Sequence, residues 1–174
     1  DFDVPFKTVK VKSALDMQKA VNSEFDNSDY IIMAAAVADY RVKEQSEQKM
    51  KKSDKDTLTL KLVKNPDILA GLCSSRNLAP LGRGQGEGLN SPIIVGFCAE
   101  SENLLENAKA KIEKKGCDYL IANDISRQDI GFGANDNEVY ILAKDGDITK
   151  LGKASKNIIA REILECISTK SQNV

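Results

Sequence analysis

The chain has no histidine among its 174 residues, so any chemistry falls to lysine, aspartate, glutamate, asparagine and backbone amides. Ser-His and Cys-His nucleophiles and His-ligated metals are excluded at once. The remaining candidates fall into groups. In Ala34-Ala35-Ala36-Val37-Ala38-Asp39-Tyr40 small side chains would let a ligand approach the backbone, and Asp39 could accept hydrogen bonds from a base or hold a cation. An alanine run packed under a helix is the plainer alternative. Asn65, Pro66, Asp67 and Ile68 form a helix start, where free amides and the helix dipole favour a phosphate or a base carbonyl. Simple helix capping would look the same. Lys43, Lys49, Lys51, Lys52 and Lys55 concentrate compact positive charge suited to a triphosphate, unless they only solvate a loop. Lys111 and Lys115 share one helix face near Phe97, where carboxylate partners on the same helix would equally explain them.

Cys73, Cys98, Cys117 and Cys166 form no CxxC or Cys/His cluster, so reduced, mostly buried thiols are expected rather than a zinc site or redox pair. Gly82, Gly84, Gly86 and Gly88 miss the GxGxxG spacing, because the third glycine would fall at Glu87 or Leu89. No strand directly precedes them either. A dinucleotide-dependent dehydrogenase needs that fingerprint and is disfavoured without it.

The elements that must position these groups follow from periodicity. Lys7–Lys12 alternates as a strand, and Ser13 precedes a helical pattern of Leu15, Met17, Ala20 and Val21. Tyr30–Ala36 is a continuous apolar run of the kind expected for a central strand buried on both faces of a parallel sheet. Residues 39–56 read as an exposed, mobile, lysine-rich flap, and Thr57–Val63 as a strand. Asn65-Pro66 opens a helix to about Ser74, with the proline in its first turn. Residues 76–91, rich in glycine, read as a disordered insertion.

Farther on, strand Ile93–Cys98 leads to a helix Asn103–Lys115 capped by Ser101 and stopped by Gly116. Strand Asp118–Ala122, polar loop Asn123–Asn137, strands Glu138–Ala143 and Ile148–Leu151 around an Asp145-Gly146-Asp147 turn, and helix Ala154–Ser168 complete the pattern. Strands separated by helices of this length imply right-handed βαβ crossovers. The expected fold class is α/β: a single Rossmann-like three-layer α/β/α domain over residues 1–174, with a mostly parallel sheet and a C-terminal antiparallel hairpin.

Lys+Arg 25 against Asp+Glu 26 leaves no global field to attract nucleic acid or an anionic membrane, so any bound anion must meet a local cluster. The longest apolar run, Tyr30–Ala38, is far short of the roughly 20 residues that span a bilayer. The amino end lacks the regions of a signal peptide, and the cytoplasm is the expected compartment.

Ala34–Tyr40, then Lys49-Met50-Lys51-Lys52, Leu62–Ile68, Val95–Glu100 and Ala122-Asn123-Asp124 come in an order that resembles the phosphopantothenoylcysteine synthetase family of coenzyme A biosynthesis, in its bacterial CTP-using form. The resemblance runs from about Val9 to the C-terminal helix, broken by the glycine-rich insertion. It implies a ligase that activates 4′-phosphopantothenate with CTP and magnesium as an acyl-cytidylate and joins it to cysteine. It also implies that Lys49 closes on the phosphates, with Lys51 and Lys52 weaker candidates. Ala34, Ala35, Asp39 and Asn65–Ile68 would line the nucleotide pocket, Phe97 would stand beside the nucleotide, and Lys111 and Lys115 would contact phosphate. The family works as a homodimer and is often fused behind a flavin-dependent decarboxylase, so FMN would enter only with that domain.

Against the family pattern, this chain starts after the first strand, the glycine-rich phosphate loop and an asparagine that acts in the second half-reaction. Asn22, Asn27 and Asn123 do not stand at that motif. The parent protein is read as the ligase; the isolated chain is read as a nucleotide-binding or dimerising fragment without catalysis of its own. If Lys49 closes on the triphosphate, Lys49→Gln in the full-length protein should slow pyrophosphate release by on the order of 10²-fold, the cost of losing one preorganised charge donor. Unchanged release would remove Lys49 from the mechanism.

Overall fold

A computed structural model of the chain describes residues 5–44, 46, 48, 57–78, 91–127, 129–131 and 133–171. The elements are α1 (Ala14–Glu24), β1 (Tyr30–Met33), β2 (Tyr40–Val42), β3 (Leu62–Lys64), α2 (Ile68–Leu78), β4 (Ile93–Glu100), α3 (Leu104–Lys115), β5 (Tyr119–Asp124), β6 (Asp136–Ala143), β7 (Ile148–Ser155) and α4 (Lys156–Ser171). They form two units, the smaller comprising Asp1–Glu24 with Ala36–Ile68 and the larger Phe25–Ala35 with Leu69–Val174. The chain passes between the two units at Glu24/Phe25, Ala35/Ala36 and Ile68/Leu69.

The larger unit is the Rossmann-like part. Its five-stranded sheet has the order β1-β4-β5-β6-β7, parallel from β1 to β5 and antiparallel from there on. Alternation along β4 and β5 sends Val95, Tyr119 and Ile121 to one face, where they join Val139, Ile141, Ile159, Ile163 and Ile167 in a core under α4. Ile94 and Leu120 point to the opposite face and are fully buried as well. Gly96 belongs to that second face, and a Cβ there would lie 2.6 Å from Leu69 Cδ2, so the missing side chain lets α2 settle onto the strand.

At the amino edge of the same strands, the Asp118 carboxylate accepts the Ile94 amide (2.8 Å) and Arg76 Nη1 (2.5 Å). Arg76 Nη2 donates to the Gly116 carbonyl at 3.2 Å. This ties the last turn of α2 to the starts of β4 and β5. Gly116 ends α3 as expected, with φ 72 and its amide donating to Ile112 O at 2.8 Å. The hairpin is also as expected, with Gly146 at φ 100 and the Gly146 amide donating to Ala143 O at 3.0 Å.

Several expectations need correction. β1 is an edge strand among the described residues, not a central one, and Tyr30 and Ile32 on it are 39% and 41% exposed. An apolar run states what its side chains prefer, whereas hydrogen-bond neighbours come from elsewhere in the chain. Ser101 does not cap α3; Asn103 immediately precedes the helix in the left-handed region (φ 48) and makes no side-chain cap bond. α2 begins at Ile68 and extends to Leu78, so Pro66 stands outside it and Arg76–Leu78 are helical rather than part of an insertion. Residues 79–90 of the expected insertion lie outside the described residues.

In the smaller unit, Ser13 caps α1 reciprocally. Its hydroxyl accepts the Asp16 amide (3.1 Å) while Asp16 Oδ2 accepts the Ser13 amide (3.1 Å). Yet α1 buries none of its residues, and residues 7–12 form no strand, with Val9 53% exposed. Alternation alone gives no ladder without a partner. Tyr40–Val42 was expected in the flap and is instead strand β2, antiparallel to β3. That β3 is shorter than the expected Thr57–Val63 strand, covering Leu62–Lys64.

Removing the Asp118 carboxylate would strand a half-buried arginine and a strand amide. Asp118→Ala should lower stability by about 2 kcal/mol, and Asp118→Asn by less, measured by urea unfolding. Equal stability of both variants to the parent would show that the latch is dispensable.

Candidate functional site

Parallel strands end together, and open α/β sheets bind ligands beyond their carboxyl ends. Met33 pairs with Gly96, so Ala34 and Ala35 leave the sheet level with Phe97. Phe97 in turn stands opposite Ile121, and Glu100 opposite Asp124. Ala34 and Ala35 are exposed and present only methyl groups, while the Phe97 ring is 37% exposed. Ala34, Ala35 and Phe97 therefore meet at one sheet edge, with Lys111 reaching the same edge from α3, whereas Lys115 ends that helix beside Gly116, toward the amino edge.

Lys111 is anchored there. Its ammonium pairs with Oε1 of Glu100, the last residue of β4, whose side chain is 12% exposed. Oε2 of Glu100 accepts Asn107 Nδ2 at 3.2 Å, and Asn107 Nδ2 also donates to the Glu102 carbonyl at 2.9 Å. The expected carboxylate partner on its own helix is thus replaced by one on the strand end. Sequence reasoning gave no site role to Glu100 or Asn107; the signal available was a carboxylate directly at a strand's carboxyl end. Lys115 lies one turn farther along α3, about 6 Å from Lys111 along the axis at ~1.5 Å per residue.

Burial pushes the neighbouring Cys98 thiol up to about 11, only partly offset by Lys111, so it is neutral at physiological pH and no nucleophile. Cys117, buried beneath α2, is pushed up to about 12 for the same reason. All four cysteines are free, as expected.

At the end of β5, Asp124 Oδ1 accepts both the Ser126 hydroxyl (2.6 Å) and the Ser126 amide (2.8 Å), which hold its carboxyl below the usual range. Arg127 then binds Asp129 through Nε (3.0 Å) and Nη2 (2.9 Å) and reaches Glu138 at 3.2 Å. Lys153 adds a 2.8 Å bond to Asp129, and Lys150 a 3.3 Å pair to Glu138. Arg127, with Lys153 second, holds the Asp129 carboxyl well below the usual carboxylate range. This network fastens the loop after β5 to the β6–β7 hairpin.

In the smaller unit, pairing of Tyr40 with Lys64 brings Asp39 and Asn65 to the same end of the β2–β3 ribbon. The Asn65 amide donates to Asp39 O at 2.7 Å, and its side-chain Nδ2 to Ala38 O at 2.7 Å. Asn65 Oδ1 accepts Arg41 Nη1 at 3.3 Å, and the same nitrogen donates to Lys64 O at 2.5 Å. The Asn65 side chain is therefore committed to holding the turn. That leaves the exposed Asp39 carboxylate at the ribbon end, with Ile68 buried after the turn. Arg41, overlooked in the sequence, is what fixes this turn. Lys49, Lys51, Lys52 and Lys55 lie outside the described residues, while Lys43 stands 3.8 Å from Glu44.

Among the described residues no three acidic or thiol groups gather to hold a metal ion. An open, mainly apolar cleft of about 250 Å³ lies between Tyr30 and Arg161, Leu164 and Ser168 of α4. It sits at the start of β1, at the opposite end of the strand from Ala34, and belongs to no part of this site. No helix among the described residues is long and apolar enough to cross a membrane.

Residues 3–170 match the family described as DNA/pantothenate metabolism flavoprotein C-terminal domain. The chain is 38% identical over 160 residues to the coenzyme A biosynthesis bifunctional protein CoaBC of Vibrio cholerae, covering 91% of the chain and 37% of that protein. It is 36% identical over 169 residues to CoaBC of Escherichia coli K12, covering 95% and 38%. The chain thus spans little more than a third of the length of these curated relatives. Its structure superposes on the crystal structure of the C-terminal domain of CoaBC with a TM-score of 0.68 at 31% identity, covering 95% of this chain and 66% of that one.

The Asp129 network carries a pH signature. Because the folded carboxyl titrates below its unfolded value of about 3.9, its contribution is fully present above that pH and is lost as pH falls through the folded value. Asp129→Asn should flatten the acid limb of the stability profile below about pH 4 and leave its slope between roughly pH 5 and 8 unchanged. An unaltered acid limb in thermal melts would show that the network is not linked to folding.

Proposed function

Since the chain belongs to the DNA/pantothenate metabolism flavoprotein C-terminal domain family, we propose that it carries most of a cytoplasmic phosphopantothenate–cysteine ligase of coenzyme A biosynthesis. The observation that carries this reading is the convergence of Ala34, Ala35, Phe97 and Lys111 on one carboxyl edge of the parallel sheet. In the reaction, a carboxylate oxygen of 4′-phosphopantothenate attacks the α-phosphorus of CTP, the α–β phosphoanhydride bond breaks, and pyrophosphate leaves. The cysteine amine then attacks the acyl carbon, loses a proton and displaces CMP.

Activation is needed because a free carboxylate is a poor acyl donor, and the electrostatic demand is the charge on the departing pyrophosphate. Lysines meet that demand as point charges: Lys111 at the sheet edge, with Lys49 and Lys115 in the roles that the family resemblance implies. Asp39 and the Asn65–Ile68 turn are suited to the polar edge of cytosine, with Arg41 and the Asn65 side chain keeping the turn in shape. Magnesium would arrive with the triphosphate as part of the substrate, and no step is assigned to it. FMN would belong to a decarboxylase domain fused in the parent protein. Cys98 takes no nucleophilic part, since its thiol stays protonated.

A second reading applies to this chain in isolation: a homodimerising or nucleotide-binding fragment without turnover. It is favoured by the chain's covering 66% of the CoaBC C-terminal domain on which it superposes. Calorimetric titration with CTP and ATP in magnesium, on this chain and on the full-length protein, separates the two. CTP-selective binding by both, with pyrophosphate release on adding 4′-phosphopantothenate only in the full-length protein, is the expected outcome. Absence of CTP binding by either would overturn the ligase reading and leave only the fold.

A further inference from the structure

Glu100 is an odd neighbour for an anion-binding edge. Its side chain is 12% exposed at the carboxyl end of β4, and a carboxylate there repels a phosphate unless its charge is already engaged. Both of its oxygens are engaged, each by a different residue of α3: Oε1 by the Lys111 ammonium and Oε2 by Asn107 Nδ2. Asn107 is in turn held by the Glu102 carbonyl, and the Glu100 carbonyl accepts the Ile125 amide at 2.9 Å. The carboxylate cannot swing away without breaking contacts on both sides.

The intervening turn is strained. Asn103 is the non-glycine residue with positive φ among the described residues, at 48, and it gives α3 no side-chain cap. A turn of that kind needs its flanks held, and the Glu100–Asn107 contact spans it. Lys111, 44% exposed, would otherwise be a long, freely rotating side chain. An ammonium has three donor hydrogens; with one on Glu100, two remain to face outward.

We propose that Glu100 is a positioning residue that holds the Lys111 ammonium in place for the nucleotide phosphates, with Asn107 fixing the carboxylate's other oxygen. This rests on the ligase reading given above. The pair is net neutral, so its contribution is orientation more than added attraction. Losing it should therefore appear in kcat for pyrophosphate release rather than as a raised KM for CTP, since removing a carboxylate also removes repulsion.

The test is a double-mutant cycle in the full-length protein with Glu100→Gln, Lys111→Gln and the double variant, following pyrophosphate release at varied CTP. Each single variant should lose about 10-fold in kcat, and the double should be no slower than Lys111→Gln alone, because Glu100 acts only through Lys111. Asn107→Ala should show a smaller kcat loss in the same direction, and serves in place of Glu100→Gln if that variant fails to fold. Losses that multiply in the double variant, or a raised KM with kcat unchanged, would overturn the proposal. So would a Lys111→Gln variant as fast as the parent. If the parent protein itself releases no pyrophosphate from CTP and 4′-phosphopantothenate, it is the ligase reading that fails.

Discussion

Parallel pairing of β4 with β1 on one side and β5 on the other sets where every candidate group of the larger unit can stand. In a parallel pair the register fixes which residues leave the sheet at the same height, so Met33 against Gly96 and Phe97 against Ile121 bring distant segments to one edge. The pairing is maintained by burial on both faces. Ile94, Val95, Leu120 and Ile121 are all at most 1% exposed, and full burial of such a side chain stabilises by about 1.5–3 kcal/mol. Gly96 contributes by having no side chain, which lets Leu69 close over the strand. Asp118 and Arg76 secure the opposite edge with a salt bridge.

Charge is handled locally throughout. With net charge −1 and no histidine, the chain has no broad field and no side chain whose ordinary pKa lies near neutrality. Carboxylates near the carboxyl edge are committed to partners instead: Glu100 to Lys111 and Asn107, Asp124 to Ser126, Asp129 to Arg127 and Lys153. The exposed Asp39 differs, since its backbone carbonyl receives the Asn65 amide while its carboxylate is left to the solvent side of the ribbon. An anion meeting the sheet edge thus encounters acids already engaged by hydrogen-bonding partners, beside the Lys111 ammonium.

How much was legible depended on whether the signal was local. The places of strands β4 and β6, Gly116 after α3 and Gly146 in the hairpin turn were all readable, because each expresses a preference of a few consecutive residues. The approximate places of α3 and α4 followed from the same kind of pattern. Errors arose where a partner was needed. The alternating residues 7–12 found no strand to pair with, Tyr40–Val42 became a strand because Leu62–Lys64 lies beside it, and β1 lies at an edge despite its apolar run.

For the candidate site the division is the same. Residue types and their order along the chain determined the class of chemistry: no histidine, lysines for phosphate, small residues where a ligand could approach, and a family resemblance strong enough to name a reaction. Only the tertiary structure decided which groups are committed and which are available. The Asn65 side chain, a candidate ligand in sequence, holds the turn in the fold, whereas Glu100, in sequence only the end of the Val95–Glu100 motif, holds Lys111. The reason is physical: a side chain's type limits the bonds it can make, but the partner that uses them comes from 11 residues away for Glu100 and Lys111, and from 27 for Asn65 and Ala38. Those pairings exist only after the strands and helices have been laid side by side.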